Sequence, residues 1–357
     1  MKKDEITALR KKIDRIDRKM LQLLDQRFEI ALKIRRLKDH VQDLEREREI
    51  ITNAEKYSSY LIDKEFIEEL FKVIIERSKK IQGRNFRLAG FQGEHGAYGE
   101  IAALKFDKGC IPIPCKGFEE VFKETEKGML DFGIVPVENS LEGGISRVHE
   151  LLIDTRLNIV GEVNLPIHHC LLSLPDEDYR DLRVVYSHPQ ALDQCKDFIS
   201  RHKLEPRPYY DTAGAAKMLS ENRLKGACVI ASKLCASIYD LEVLKENVED
   251  HPDNFTRFII LSKMKPDYGD KCSIIFGTKH VPGALLNVLK IFSEYGINLT
   301  KIESRPKRGD PGHYLFYVDF EGSEKEERVV LAIEKVRRET EFFKFLGCYQ
   351  SDKGGSS

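Results

Sequence analysis

Apolar residues recur in alternating steps of three and four along the first 40 residues, which predicts one long helix with a continuous apolar seam. Nine of its ten positions are apolar, and the tenth is Arg27. The ten are Ile6, Leu9, Ile13, Ile16, Met20, Leu23, Arg27, Ile30, Ile34 and Leu37. Such a helix packs against other helices, as in a coiled coil. A guanidinium in the seam either fixes the register of this packing or binds an anion, because an unpaired buried charge is costly.

Two more basic residues lie on the same predicted helix. At ~100° per residue, Lys38 lies about 20° from Arg27 and ~16 Å further along the helix axis. Arg10 lies roughly 100° around the helix from Arg27. Lys38 therefore extends the charged part of the seam, whereas Arg10 serves a different face or a different partner helix.

Two shorter helices are predicted to follow. Asp43 is a helix cap, and Asp43, Arg46 and Glu47 share one face of the second helix by the i, i+3, i+4 spacing. Charge clusters of this kind are usually solvated surface. The third helix places Ser78 and Gln82 one turn apart. A simple cap for Asp43 and a surface hydroxyl for Ser78 are the alternatives to a role in a site.

The organisation of the chain changes near residues 82–85. Before this point the sequence is helical and highly charged, and after it short β-rich runs alternate with helical ones. Strands are predicted at 88–91, 111–114, 132–137, 184–187 and 228–231, and helices at 96–106, 118–127 and 191–200. This alternation predicts α/β architecture.

A polar linker is predicted at residues 265–270, and a third pattern follows it. The order is strand 272–276, helix 282–295, strand 298–303, strand 314–320, helix 325–338 and strand 345–349. This βαββαβ order is the ferredoxin-like split arrangement. The chain is therefore expected to be multidomain, with an all-α segment at 1–84, an α/β segment at 86–264 and a ferredoxin-like segment at 271–350.

Composition excludes several classes of function. The formal net charge of −1 gives no bulk attraction for nucleic acid. The N-terminus has no apolar export region and no apolar run is long enough to span a bilayer, so a cytoplasmic protein is expected. The eight cysteines form no CxxC pair and no zinc-like cluster, which favours reduced thiols and no metal site. Without a P-loop or GxGxxG sequence, no nucleotide cofactor is indicated.

The assembled pattern resembles the bifunctional chorismate mutase–prephenate dehydratases of phenylalanine biosynthesis along nearly the whole chain, in the same order of modules. Eight polar residues of the first segment fall on positions of that family's mutase site. They are Arg10, Arg27, Lys38, Asp43, Arg46, Glu47, Ser78 and Gln82. The resemblance implies an intertwined helical domain and a homodimer or higher homo-oligomer.

The middle segment carries three motifs that resemble the prephenate dehydratase family, at residues 135–140, 186–195 and 254–258. The glycine loop at 91–100 resembles that family too, but has Ala97 and Gly99 where the family often has hydroxyl residues. The resemblance implies a two-lobed α/β domain like that of periplasmic binding proteins. Its implied substrate-binding residues are Glu138, Asn139, Ser140, Gln194, Thr256, Arg257 and Phe258.

The last segment resembles an ACT regulatory domain. Residues 282–286 (Pro-Gly-Ala-Leu-Leu) and 303–306 (Glu-Ser-Arg-Pro) match the motifs that bind phenylalanine between subunits in that family. The resemblance implies L-phenylalanine as an allosteric inhibitor. Its implied ligand residues are Gly283, Ala284, Leu285, Asn298, Glu303, Ser304 and Arg305. Leu285 and Leu286 also open an amphipathic helix, where a position in the core is the simpler interpretation.

Chorismate is a dicarboxylate that rearranges intramolecularly, so its enzyme must hold a compact conformer and stabilise charge at the breaking ether. Two arginines suit two carboxylates, Arg27 in its own site and Arg10 in the site of a partner subunit. Lys38 and Gln82 are expected to donate to the ether oxygen, each worth ~3 kcal/mol if preorganised. Glu47 would accept from the ring hydroxyl, and the other three matched residues would complete the cage.

Prephenate loses carbon dioxide and its ring hydroxyl to give phenylpyruvate, and aromatisation drives the step, so no cofactor is expected. Thr256 is expected to contact the departing hydroxyl, although its pKa is too high for it to be the ultimate proton source. Arg257 either clamps a carboxylate or forms a structural ion pair. His188 is interpreted equally well as a structural loop histidine or as an acid. Cys195 is better interpreted as a packed thiol than as a nucleophile.

Three alternatives stay open. Arogenate differs from prephenate at one side-chain group, so arogenate dehydratase is the nearest. The two lobes with an ACT domain also suit a non-catalytic amino-acid sensor, against which the intact Thr256-Arg257-Phe258 sequence argues. The helical segment also suits a dimerisation scaffold without activity, against which its complete set of charges argues.

Overall fold

The computed structural model describes residues 2–175, 177–266, 268–278, 280–306 and 313–352 of the chain. It contains two compact units, Met1–Phe86 and Arg87–Ser357. Asp267, inside the predicted linker, lies outside the described residues.

The first unit consists of three helices, as predicted. They are α1 (Lys2–Arg35), α2 (Leu44–Glu55) and α3 (Lys64–Gln82). Asp43 caps α2, because its carboxylate accepts a hydrogen bond of 3.0 Å from the Arg46 backbone N–H. Asp63 caps α3 in the same way, accepting from the Phe66 N–H at 2.8 Å.

The apolar seam of α1 is exposed within the chain. Its nine apolar residues, from Ile6 to Leu37, expose between 41% and 68% of their surface. The buried apolar residues of α1 are Ala31, which lies one turn from Arg27 beside the seam, and Leu32, which lies on the opposite side of the helix. The helix ends at Arg35, so the prediction that it continues through Leu37 and Lys38 is wrong, and these two residues lie in the segment that follows it. The first unit does not cover the seam.

The first sheet of the second unit has the order β2-β1-β3-β11-β5, with β4 beside β3. The strands are β1 (Leu88–Gln92), β2 (Ile111–Cys115), β3 (Phe132–Asn139), β4 (Gly143–Gly144), β5 (Asn158–Pro166) and β11 (Phe255–Ser262). Three helices belong to this lobe: α4 (Tyr98–Phe106), α5 (Phe118–Glu126) and α6 (Ser146–Asp154). Strands β1, β2 and β3 are parallel, and β11 runs antiparallel to β3 and β5.

The second lobe is built on a sheet of order β10-β6-β9-β7-β8. Its strands are β6 (Cys170–Ser173), β7 (Val184–Ser187), β8 (Glu205–Pro208), β9 (Ala227–Ala231) and β10 (Glu242–Lys245). Its helices are α7 (Pro189–Gln194), α8 (Lys196–Arg201), α9 (Thr212–Asn222) and α10 (Lys233–Tyr239), with a 3-10 turn at Tyr179–Asp181. The single helix predicted at 191–200 is two helices, because the Cys195 backbone leaves the helical region at φ −118° and ψ 21°.

The last part of the chain has the predicted βαββαβ order in a sheet of order β13-β14-β12-β15. Its elements are β12 (Lys271–Gly277), α11 (Ala284–Glu294), β13 (Leu299–Pro306), β14 (Tyr314–Glu321), α12 (Glu327–Glu339) and β15 (Phe342–Tyr349). All neighbouring strands are antiparallel. The predicted fold class, an all-α domain, a two-lobed α/β domain and a ferredoxin-like domain, is confirmed.

In the part of the chain that the structure describes, no helix is long and apolar enough to cross a membrane. All eight cysteines are buried.

Candidate active sites

A cavity of about 620 Å³ opens beside the three helices of the first unit. It is lined by seven of the eight residues predicted for the first site: Arg27, Lys38, Asp43, Arg46, Glu47, Ser78 and Gln82. Arg10, the eighth, is exposed and lies outside this cavity. The predicted charges therefore converge on one concave surface.

Neighbouring side chains hold several of these groups in place. Lys38 Nζ donates to the Asp43 carboxylate at 2.6 Å, and this hydrogen bond lowers the pKa of the exposed Asp43. Gln82 Nε2 donates to Ser78 Oγ at 3.1 Å, one turn along α3. The amide of Gln82 and the ammonium of Lys38 thus face the same cavity with donors.

Arg27 has the environment of an anion-binding group. Burial, together with the positive charge of Arg46, lowers the pKa of the Arg27 guanidinium. Its Nη1 atom is buried and has no hydrogen-bond partner among the described residues. A bound carboxylate would supply both the missing acceptor and the compensating charge.

Lys79 also lines this cavity and was missed by the sequence analysis. Its Nζ donates to Glu47 Oε2 at 3.2 Å and to Glu76 at 2.5 Å. These contacts hold one oxygen of Glu47, while its other oxygen, Oε1, is buried without a partner among the described residues. Lys79 follows Ser78 directly, but no spacing rule singled it out from the other lysines of α3.

A second cavity, of about 500 Å³, lies between the two lobes of the α/β part of the chain. Four of the seven residues predicted for the dehydratase site line it: Asn139, Gln194, Thr256 and Phe258, from β3, α7 and β11. None of the described lining residues is Lys or Arg.

Thr256 is held by an asparagine on the neighbouring strand. Asn139 Nδ2 donates to Thr256 Oγ1 at 3.0 Å and to Asn254 Oδ1 at 2.8 Å. The side-chain oxygen of Asn139, Oδ1, accepts from the backbone N–H groups of Leu141 and Glu142, at 3.0 and 3.2 Å. These two hydrogen bonds fix the orientation of the side-chain amide. Because Thr256 Oγ1 is an acceptor in this arrangement, its hydroxyl hydrogen is available to a group in the cavity.

The network continues into the second lobe. Gln194 Oε1 accepts from Asn254 Nδ2 at 3.0 Å and lies 3.0 Å from His169 Nε2. The other ring nitrogen of His169 lies 2.9 Å from the Tyr98 hydroxyl. Burial lowers the pKa of His169, so the imidazole is neutral at pH 7. The hydrogen-bond network that includes Asn139 and Thr256 therefore contains residues of both lobes.

Two helices begin at this cavity without a side-chain cap. The first residue before α4 is Ala97 and that before α5 is Gly117, and both line the cavity. The backbone N–H groups of a first helical turn have no partner within the helix and favour negative charge. Ala97, noted in the sequence as a departure from the family's hydroxyl residues, thus leaves the start of α4 uncapped.

Three predicted residues lie outside the cavity. Glu138 is paired with Lys301 of β13 at 2.8 Å, since it alternates with Asn139 along β3 and faces the other way. Ser140 Oγ accepts from the Phe255 N–H at 3.0 Å. Arg257 is buried in ion pairs with Glu162 and Asp319. Of the two roles considered for Arg257, this arrangement is the structural ion pair and not a clamp for a substrate carboxylate.

The two residues with open interpretations are also placed. His188 lines the cavity and is the N-cap of α7, with its Nδ1 accepting from the Gln190 N–H at 3.3 Å. Cys195 is fully buried, and burial raises the pKa of its thiol, as expected for a packed thiol. Tyr98, His169 and Asn254 were missed as site residues, although Tyr98 and Asn254 stand inside motifs already noted.

A third, open groove lies at the start of α11. Gly283, Ala284 and Leu285 line it, together with Tyr314 and Phe316 of the neighbouring strand. Gly283 is the N-cap, at φ +85°, and it offers no side chain to the first turn. The other residues predicted to bind phenylalanine lie away from this groove: Asn298, Glu303, Ser304 and Arg305. Arg305 contacts Glu303 at 2.7 Å and the Gly144 carbonyl at 3.1 Å.

Family profiles match three consecutive parts of the chain. Chorismate mutase type II matches residues 9–83, prephenate dehydratase matches residues 89–266, and the ACT domain matches residues 273–338.

Proteins of known activity are similar along most of the chain. A bifunctional chorismate mutase/prephenate dehydratase of Aquifex aeolicus (strain VF5) is 36% identical over 362 residues, covering 97% of this chain and 98% of that protein. Arogenate dehydratase 2 of Petunia hybrida is 40% identical over 291 residues, covering 76% of this chain and 74% of that protein. The crystal structure of prephenate dehydratase from Arthrobacter aurescens in complex with L-Phe is 30% identical with a TM-score of 0.69, covering 74% of this chain and 89% of that one.

Proposed function

The chain belongs to the bifunctional chorismate mutase/prephenate dehydratase family, and from this premise we propose how its residues carry out the two reactions. The protein converts chorismate to prephenate and prephenate to phenylpyruvate in L-phenylalanine biosynthesis. The observation that carries this conclusion is the match to a bifunctional relative along 97% of the chain. We assign the mutase to residues 1–84, the dehydratase to 86–264 and the regulatory domain to 271–350, in a cytoplasmic protein.

In the mutase site, Arg27 binds one carboxylate of chorismate. The guanidinium is partly buried, faces Arg46 and has a buried nitrogen without a partner among the described residues, all of which favour an anion there. Lys38 and Gln82 donate to the ether oxygen as it gains negative charge, and this preorganised stabilisation accelerates the rearrangement. Glu47 accepts from the ring hydroxyl through its unpaired oxygen.

Each mutase active site is formed by residues from two copies of the chain. The exposed apolar seam of α1 supports a dimer, because a second copy would cover its nine residues. Arg10 lies on that helix but outside the cavity of its own chain. It binds the second carboxylate of chorismate in the partner's site.

In the dehydratase site, Thr256 donates its hydroxyl hydrogen to the departing ring hydroxyl. The hydrogen bond from Asn139 supports this direction, since it leaves the threonine oxygen as an acceptor and its hydrogen for the substrate. As the ring becomes aromatic, the carbon–oxygen bond breaks and carbon dioxide leaves with its bonding electrons passing into the ring. The hydroxyl leaves as water, and the proton that it takes up is drawn from solvent through the Thr256 hydroxyl, which ends protonated because it only relays the proton.

The substrate carboxylates are received by backbone groups rather than by arginines. No described residue that lines the cavity is Lys or Arg, and Arg257 faces away from it. The uncapped start of α4 provides N–H groups and the positive end of a helix dipole, whereas at α5 the Glu119 carboxylate already accepts from its own backbone N–H. Asn139, Gln194 and the neutral His169 add polar contacts without adding charge.

Prephenate, rather than arogenate, is the proposed substrate of the second site. The helical mutase in the same chain produces prephenate, and the relative that spans the whole chain is named for prephenate dehydratase. The 40% identity to a Petunia arogenate dehydratase makes arogenate the alternative. Turnover of the two compounds by the purified full chain decides between them, and a higher kcat/KM for arogenate would overturn this choice.

Phenylalanine inhibits dehydration by binding to the C-terminal domain. The groove at Gly283 supports this, because the uncapped start of α11 suits an amino-acid carboxylate and Tyr314 and Phe316 provide apolar surface. The residues at 303–306 complete the site across the dimer. Inhibition requires that phenylalanine bind one domain arrangement more tightly than another.

A further inference from the structure

Arg257 lies on β11, the strand that carries Thr256, and its side chain contacts the sheet of the regulatory domain. Its neighbours in sequence on β11, Thr256 and Phe258, both line the dehydratase cavity. Because successive side chains of a strand point to opposite faces, Arg257 points away from the cavity. Its relative exposure is 5%, so the guanidinium is buried.

Each nitrogen of the guanidinium has a separate partner. Nε donates to Glu162 Oε2 at 2.7 Å, on the adjacent strand β5 of the same sheet. Nη1 donates to the Asp319 carboxylate on β14, and Nη2 donates to the Tyr349 hydroxyl at 2.9 Å on β15. Two of the three partners therefore belong to the sheet of the regulatory domain.

The partner of Arg257 in the regulatory domain, Asp319, is buried and hydrogen-bonded on both of its carboxylate oxygens. Asp319 has no exposed surface, and its second oxygen accepts from Ser273 Oγ. Lys271 Nζ donates to Glu162 at 2.9 Å, and Glu138, which is paired with Lys301, lies 4.0 Å from Arg257 Nη1, so each charge of the cluster lies beside one of opposite sign. Breaking one member of such a cluster leaves an uncompensated buried charge, so its geometry is tightly determined.

We propose that Asp319, a residue of the regulatory domain, is a positioning residue for dehydration. By holding Arg257, it fixes the backbone of β11 at Thr256, whose hydroxyl has to meet both Asn139 and the substrate. The same ion pair is the contact through which a shift of the regulatory sheet changes the rate of dehydration. This inference rests on the proposed role of Thr256 at the dehydratase site.

The test uses the full chain with Asp319→Asn, which keeps the shape of the side chain and removes its charge. The dehydratase kcat for prephenate should fall about 10- to 100-fold, as expected for a small misplacement of a catalytic group. The mutase kcat of the same protein should be unchanged, and phenylalanine should inhibit the residual dehydration less than in wild type. Lys335→Gln is the matched control, because it removes an exposed ion pair with Glu294 from the same domain.

Tyr349→Phe is the milder second variant, since it removes only the hydroxyl that accepts from Arg257. It should lower the dehydratase kcat less than Asp319→Asn does, with little change in KM. Its result decides the question if Asp319→Asn does not fold.

Three outcomes are distinguished. Wild-type protein that does not turn over prephenate overturns the proposed function and the inference with it. Active wild type with folded Asp319→Asn at the wild-type dehydratase kcat overturns the inference alone. A lower melting temperature with wild-type kcat in the Tyr349→Phe protein also overturns it, because it shows a role in stability only.

Discussion

Asn139 and Thr256 are joined by a hydrogen bond of 3.0 Å across the neighbouring strands β3 and β11, although 117 residues separate them in sequence. The donor is the asparagine amide, whose oxygen is already occupied by two backbone N–H groups. The threonine is therefore oriented with its oxygen toward the protein and its hydrogen toward the cavity. In the proposed mechanism, this hydrogen bond sets the direction in which Thr256 donates to the substrate.

Thr256→Val should remove dehydration and leave the rearrangement intact. The substitution keeps the shape of the side chain but removes the hydroxyl, so dehydratase kcat should fall about 10²-fold or more. Prephenate should accumulate from chorismate in a continuous absorbance assay. Thr125→Val, which removes a buried hydroxyl bonded to the Val121 carbonyl outside the cavity, is the control. Undiminished formation of phenylpyruvate by Thr256→Val would remove Thr256 from the mechanism.

Arg27→Ala should abolish the mutase reaction without affecting dehydration. Loss of a buried charge partner for a substrate carboxylate should lower the mutase kcat/KM by about 10²- to 10³-fold. Arg77→Ala, at an exposed position of α3 outside the cavity, should leave both activities unchanged. A folded Arg27→Ala protein with near-normal mutase activity would show that Arg27 only fixes the register of helix packing.

Mixing two inactive mutase variants should restore activity if the sites are shared. In a heterodimer of Arg10→Ala and Arg27→Ala chains, one site regains both arginines and the other loses both. Random exchange at equal amounts should therefore recover about a quarter of the wild-type mutase activity. Subunit exchange is confirmed separately by native mass spectrometry of a tagged chain. Exchange without recovered activity contradicts the shared site.

His169→Phe should slow dehydration because it removes the ring nitrogens that lie beside Gln194 and Tyr98. We expect a fall in kcat of about tenfold or more, since the amides that orient Thr256 would lose a fixed neighbour. The mutase rate is the internal standard. His202→Phe is the control, because the His202 ring lies outside the cavity, where it contacts the Phe198 carbonyl and ring and the Tyr179 ring. Equal dehydratase rates in the two variants would show that His169 has no part in positioning.

Gly283→Val should weaken phenylalanine binding. A β-branched residue is strained at φ +85°, and its side chain would stand at the start of α11, where the carboxylate is expected. Calorimetric titration and inhibition of dehydration should both show the loss. Gly296→Val carries a similar strain at φ +62° at the other end of the helix and serves as the control. Unchanged binding by Gly283→Val would move the site elsewhere, and wild type without binding or inhibition at millimolar phenylalanine would end the regulatory proposal.

Local patterns in the sequence predicted the elements of the first and last parts of the chain, but in the α/β part they did not predict six strands and three helices: β4, β5, β6, β8, β10, β11, α6, α9 and α10. The step of three and four predicted α1, Asp43 was recognisable as a cap from its position, and the βαββαβ order followed from alternating apolar runs. Residues one turn apart, such as Ser78 and Gln82, are neighbours by the geometry of any helix, so their contact was also predictable. The motif at 254–258 identified Thr256 through its resemblance to the Thr-Arg-Phe signature of the prephenate dehydratase family.

The tertiary structure alone decided which of these residues meet and which face the substrate. Strand periodicity predicts that Thr256 and Arg257 point to opposite faces, but not which face is the cavity, and that depends on the regulatory sheet packing behind β11. The positions of Lys79 and His169 in the two cavities could not be predicted, because no spacing rule links them to residues from other elements. The sequence by itself thus determined the modules and their chemistry, which are properties of short segments. The tertiary structure decided the partners of each charge, because burial is a property of the whole packed chain.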